Sequence, residues 1–302
     1  MLAKIYYWMF ARVHIFKICC LGGMTMIYKK YGEVFKKLRL QHHLLLSDFE
    51  RVGLSKSTLS YFENGKSMIS LDKLDLALQE MHTTFRSYML MINNDEEDYW
   101  LSQFKEIEKA YFSNDQKKLQ AIYMKNVKYD MEENQVIALS AKACYTKLST
   151  DEIKYIENKL KSYQVWHSYE MYILVNTLEE INPDLVYHLI ERILSQNSQY
   201  LKEITEFRNL LIRLIIRTIL SMIRREQKKF SEKLIEELDK LTLVFDTYVR
   251  ISSIFVKGCW IYKFEDKNMG TKLVSRSLKI LSEINALELR GIFKHNFEKI
   301  KG

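Results

Sequence analysis

An all-α protein is the fold class this sequence predicts, on three observations. Its 302 residues include a single proline, Pro183, and nine glycines, whereas sheet proteins need turn residues about every 8–12 positions. Apolar residues recur at helical spacing from Val34 to Ile284. The chain is 47% apolar, enough for a full core and, at this length, for two domains rather than one.

The first segment, MLAKIYYWMFARVHIFKICCLGGMTM, differs in pattern from the rest of the chain. Leu21-Gly22-Gly23 can be encoded so that the gene contains AGGAGG, a ribosome-binding sequence, about seven nucleotides before the Met26 codon. The expectation is that residues 1–25 are an over-extended leader and that the working protein begins at Met26.

From Ile27 to Ile92 the helix signals are dense. Val34, Phe35 and Leu38 share one face of a basic amphipathic helix that ends near His43. Ser47-Asp48-Phe49-Glu50 reads as a capping box, with Ser47 as the cap and Glu50 reaching back, opening a very short second helix. Gly53 supplies a sharp turn, Leu54 plugs the angle, and Ser55 caps a third helix to about Asn64. Ser70 caps Leu71 to Met81, with Leu71, Leu74 and Leu78 inward, and Thr84 starts a fifth helix through Ile92.

Five short helices with a tight glycine turn between the second and third make a helix-turn-helix domain, expected over residues 26–92. In that arrangement the first turn of the third helix enters the major groove, where short side chains reach base edges. Lys56, Ser57, Thr58 and Ser60 are the candidate base-facing residues, with Leu59 and Phe62 as core anchors. Ser47, Lys66 and Lys37 are candidate phosphate contacts. Taken alone, Ser55-Lys56-Ser57-Thr58 also fits a plain helix cap with solvated neighbours. The segment carries ten Lys/Arg against seven Asp/Glu, too small an excess for tight binding by one copy, which favours a homodimer on two half-sites of a double-stranded DNA operator.

YGEVFKKLRL, then LSKSTLSYFENGKSMISLDKL and MHTTFRSYML, resemble the opening of the Rgg/GadR/MutR family of Gram-positive transcriptional regulators. The resemblance implies a helix-turn-helix of the xenobiotic-response-element type joined to a tetratricopeptide-like helical repeat domain, usually in a dimer. It also implies, for many members, control by a short hydrophobic signalling peptide in quorum sensing.

The acidic run Asn93–Asp98 reads as the joint between the two domains. Beyond it, helical patterns are expected at Tyr99–Phe112, Asp115–Val127, Glu132–Tyr145, Thr150–Tyr163, His167–Ile181, Pro183–Gln196, Leu201–Arg225, Ser231–Lys240, Val244–Phe264 and Gly270–Ile284. Paired helices of this length stack as a solenoid whose concave face suits an extended peptide. The repeat domain is therefore expected over residues 93–302. Gly258 and Gly270 mark places where helices approach closely.

Asn176 and Asn209 lie inside apolar helices, and a carboxamide can pair with both polar groups of a peptide backbone. The resemblance makes both pocket residues; a buried asparagine bonded to neighbouring backbone fits the same pattern. Asn209, Arg213 and Arg217 form an i, i+4, i+8 stripe in which Arg213 is the candidate carboxylate partner, although a solvated or interhelical role fits each arginine singly. Tyr172 and Trp260 are candidate apolar walls that also fit an ordinary core. Glu179 stands where some peptide-responding relatives carry arginine, which argues against the acidic peptides that those relatives take.

None of the four cysteines forms a CxxC or metal-ligand spacing, which fits free thiols in a reducing cytoplasm. No apolar stretch reaches membrane-spanning length. GxSxG, Walker A, GxGxxG and HExxH motifs do not occur, so neither an enzyme nor a cofactor is expected. The net charge of +8 favours a polyanionic partner without identifying one. The alternative reading is a ligand-independent regulator or adaptor whose repeat domain serves only dimerisation and protein contacts.

Overall fold

The structure, a computed structural model, describes residues 25–93, 98–196 and 205–302, and side chains from residue 29 onward. The expected leader and most of the acidic joint lie outside the described residues. No strand occurs among the described residues. The chain divides into two compact units, Met1–Tyr99 and Trp100–Gly302.

The first unit contains α1 (Thr25–Gln41), a 3₁₀ segment (Leu46–Val52), α2 (Lys56–Glu63), α3 (Leu71–Glu80) and α4 (Phe85–Ile92). One residue or two per turn of each element point to a shared core of Phe35, Leu38, Phe49, Leu54, Leu59 and Phe62, closed by Leu74, Leu78, Tyr88 and Ile92. Burying each of these side chains contributes about 1.5–3 kcal/mol. The Phe35 ring is central, with its centroid 5.6 Å from Phe49 and 5.5 Å from Phe62. Gly53 takes φ +75°, a left-handed conformation that a side chain resists, and this turns the chain from the 3₁₀ segment into α2.

Two expectations need correction. The second element is a single 3₁₀ segment, and Ser47 sits inside it rather than capping it. The carboxylate of Asp48 accepts from the Leu45 N–H at 2.7 Å instead, which satisfies a free N–H at the start of the segment. Leu71 is 66% exposed because, in the first turn of α3, it points away from the face that carries Leu74 and Leu78.

The second unit contains α5 (Tyr99–Phe112), α6 (Gln116–Asn126), α7 (Glu132–Ala143), α8 (Thr150–Ser162), α9 (Ser168–Thr177), α10 (Pro183–Gln196), α11 (Thr205–Arg224), α12 (Lys228–Lys240), α13 (Thr247–Phe264), α14 (Lys267–Glu283) and α15 (Leu287–Lys301). Consecutive helices pack as hairpins, notably α6 on α7, α11 on α12 and α13 on α14. Pro183 occupies the first position of α10, where its missing N–H costs nothing. A Cβ on Gly270 would lie 2.4 Å from the Tyr262 backbone nitrogen, and one on Gly258 would lie 2.9 Å from Val274, so glycine sets the spacing of α13 and α14 as the sequence suggests. Helix α9 is shorter than expected, ending at Thr177 before a turn to Ile181. Helix α15 lies beyond the last helix that the sequence pattern predicts.

Candidate functional site

Helix α2 presents its first turn to solvent. Ser55 adopts extended backbone and its Oγ accepts from the Thr58 N–H at 3.2 Å, which fixes where the helix begins. The same oxygen lies 3.0 Å from Ser57 Oγ and 2.9 Å from Thr58 Oγ1, so three hydroxyls form one cluster at the helix N-terminus. Lys56, Ser57 and Thr58 are exposed and Ser60 is half-buried, while Leu59 and Phe62 anchor the opposite face in the core. Lys37 is exposed on α1, and Ser47 is half-buried in the 3₁₀ segment.

The sequence reading missed Tyr61. It is 54% exposed on the outer face of α2, and Lys66 places its ammonium 5.7 Å from the centre of the ring. The signal was available: with Leu59 and Phe62 inward, a helical wheel turns position 61 outward.

The second unit encloses a half-open cavity of about 420 Å³. One stripe of α11 forms its floor: Asn209, Arg213, Arg217 and Arg224, with Ile212, Ile216 and Leu220 beside them. This is the i, i+3, i+4 geometry of one helix face. Tyr111 and Phe112 close it from the end of α5, Tyr248 and Val249 from the first turn of α13, and Leu289, Ile292, Phe293 and Asn296 from α15.

Charges in the cavity are mostly matched. Arg213 Nε lies 3.0 Å from Glu108 Oε1. Arg224 pairs with Glu179 and donates to Asn296 Oδ1 at 3.4 Å, and the Ser221 hydroxyl donates to the other Glu179 oxygen at 3.1 Å. The charge of Glu179 is therefore taken up by α11. The Arg217 guanidinium carbon lies 4.2 Å from the centre of the Tyr111 ring. It also lies beside the Cys144 thiol, whose pKa burial pushes up to about 11 against the opposing pull of Arg217.

Of the residues expected at a ligand site, the structure brings together Asn209 and Arg213 and leaves three elsewhere. Tyr172 is buried, stacked on Phe104 with centroids 5.5 Å apart and planes 6° from parallel, as core aromatics do. Asn176 is 3% exposed because α9 packs against α7, α8 and α11. Its carbonyl and Oδ1 receive the Cys144 thiol at 3.8 and 3.9 Å, while its Nδ2 has no partner among the described residues. Trp260 lies about 16 Å further along α13 than Val249; its indole N–H donates to the Lys228 carbonyl at 3.4 Å, under the Lys228 ammonium. Among the described residues no group of three or more His, Cys, Asp or Glu side chains could hold a metal ion. No helix there is long and apolar enough to cross a membrane.

Known proteins share both units. Residues 35–86 match the helix-turn-helix family. The chain is 35% identical over 89 residues to the antitoxin PezA of Streptococcus pneumoniae serotype 4, a stretch that is 28% of this chain and 54% of PezA, so the chain spans about half the length of that curated relative. A candidate transcriptional regulator from Listeria monocytogenes EGD-e superposes with a TM-score of 0.75 at 17% identity, covering 90% of this chain and 97% of its own. The SHP pheromone receptor Rgg2 of Streptococcus dysgalactiae gives 0.71 at 20% identity, over 89% and 99%. PrgX in complex with cCF10 gives 0.66 at 14% identity, over 90% and 92%. These three share the fold. Residues 101–294, well over half of the chain, match the C-terminal domain of the helix-turn-helix transcriptional regulator Rgg, and the chain therefore belongs to the Rgg family of transcriptional regulators rather than to an enzyme family.

Proposed function

We propose that the protein is a cytoplasmic homodimer that binds a double-stranded DNA operator through α2 and changes its operator occupancy when a short hydrophobic peptide fills the cavity of the second unit. The observation that carries the peptide reading is the cavity itself: apolar walls crossed by one exposed carboxamide, Asn209, and a stripe of arginines. Apolar walls supply affinity for hydrophobic side chains, and a few polar groups fix the backbone. A pheromone receptor and a regulator solved with cCF10 share this fold, which supports a peptide as the ligand. For the DNA side, Lys56, Ser57 and Thr58 meet bases while Lys66, Lys37 and Ser47 contact phosphates.

The test pairs a mobility-shift titration on the promoter nearest the gene with labelled candidate peptides encoded beside it. A peptide should shift operator affinity, and Asn209→Ala should weaken peptide binding roughly ten- to a hundred-fold through loss of a backbone partner. Size-exclusion chromatography of that variant should still show a dimer. If no neighbourhood peptide binds and operator affinity is constant, the repeat domain serves only dimerisation.

A further inference from the structure

We propose that Arg217 is the docking point for a ligand carboxylate, so that the cavity selects peptides by a free acid group as well as by apolar side chains. This rests on reading the cavity as a peptide site. Three arginines line it, and two have carboxylate partners: Arg213 has Glu108 and Arg224 has Glu179. Among the described residues Arg217 is held only by the Tyr111 ring and the Cys144 thiol.

Arg217 has donors to spare. The guanidinium carbon of Arg217 lies 4.2 Å from the centre of the Tyr111 ring, a cation–π contact. The ring and the Cys144 thiol engage fewer than the five N–H donors of the group. A carboxylate accepts two parallel N–H bonds from a guanidinium edge. Ile216 and Leu220 keep the surroundings apolar, which strengthens a charged contact.

Neighbouring cations do not compete. An acid group brought to Arg213 or Arg224 would meet Glu108 or Glu179 already in place. The acid group would come from a peptide C-terminus or from an acidic side chain, and both present the same chemistry to Arg217.

The experiment uses the full chain and an equimolar pool of tetrapeptides of leucine, isoleucine, valine and phenylalanine. These are supplied as free acids, as C-terminal amides, and as amides carrying one aspartate. Retained species are identified by mass spectrometry after ultrafiltration, and affinities of the best members are measured by competition. The parent should retain acid-bearing peptides over plain amides by ten- to a hundred-fold. Preference for free acids identifies the C-terminus, and preference for the aspartate amides identifies a side chain. Arg217→Met should erase the preference and Arg217→Lys should keep part of it, with circular dichroism confirming that both fold. Equal retention of plain amides by the parent, or a preference that survives in Arg217→Met, overturns the inference and leaves the peptide reading standing. Retention of no peptide overturns both.

Discussion

Arg39 of α1 closes on Glu63, the last residue of α2, through two hydrogen bonds, Nε to Oε1 at 2.6 Å and Nη2 to Oε2 at 2.9 Å. Its Nη1 donates to the Leu44 carbonyl at 2.7 Å, so the same guanidinium also holds the chain that leads into the 3₁₀ segment. Both side chains are buried. Glu63→Ala would leave an uncompensated cation in the core and should cost about 3–5 kcal/mol. Arg39→Lys keeps the charge but cannot fork onto both oxygens, and should still destabilise, by less than Glu63→Ala. Because the pair fixes α2 against α1, operator binding should weaken along with urea stability. A change below about 1 kcal/mol in Glu63→Ala would show that the pair is not what ties the two helices.

The outer face of α2 separates two kinds of contact. Lys66→Ala should weaken binding to all DNA sequences and flatten the salt slope by about 1 unit. Ser57→Ala and Thr58→Ala should lose discrimination at particular base pairs, at roughly 1–3 kcal/mol. Tyr61→Ala should behave like the lysine, since its exposed ring supports the Lys66 ammonium. Mobility-shift titrations at several salt concentrations distinguish these outcomes, and parental behaviour in all four variants would remove α2 from the DNA.

Local signals made much of this legible. Ser55 as a cap, Gly53 as the sharp turn and the Leu59/Phe62 anchors come from rules that act within a few residues, and all three hold in the structure. The buried Arg39–Glu63 pair was hidden because its partners are 24 residues apart and each alone reads as a surface charge. The ligand site was half legible for the same reason. The Asn209–Arg213–Arg217 stripe is a property of one helix and appears in the sequence. That Asn176 and Tyr172 turn into a packed interior is a property of four helices meeting. Helix α15 escaped because Gly291 interrupts its pattern, although Phe293, Phe297 and Ile300 are spaced for one buried face.

The contact of α13 with α14 should tolerate no side chain at Gly270. An added methyl would collide with the Tyr262 backbone at 2.4–2.5 Å, and backbone cannot yield as the end of a flexible side chain can. Gly270→Ala should therefore destabilise the second unit by about 1–3 kcal/mol through overpacking, even though alanine is the better helix former. Gly291→Ala is the control, since a Cβ there meets nothing within 4 Å; it should stabilise slightly. Thermal melts of the two variants should move in opposite directions, and a stabilised Gly270→Ala would mean that the two helices are free to separate.

Arg208 and Asp246 make the loop between α12 and α13 sensitive to acid. Burial pushes the Asp246 carboxyl up, but hydrogen bonds from Arg208 and from the Leu243 N–H at 2.6 Å outweigh it and hold the group below its ordinary value. A carboxyl with a depressed folded pKa stabilises the protein fully above its unfolded value, about 3.9. That stabilisation is lost as pH falls through the lower folded value. Arg208→Met removes the main cause of the shift and also the bond to the Leu241 carbonyl at 2.8 Å, and should cost roughly 1.5–3 kcal/mol at neutral pH. The gap between parent and variant should be constant from pH 7 to about 5 and should narrow below about 4. Phe245, beside the clamp and 95% exposed, provides the contrast: Phe245→Ser should change stability by no more than about 0.5 kcal/mol at any of these pH values. Melting temperatures measured across the range decide it, and a gap that stays constant down to pH 3 would show that the Asp246 charge does not contribute to folding.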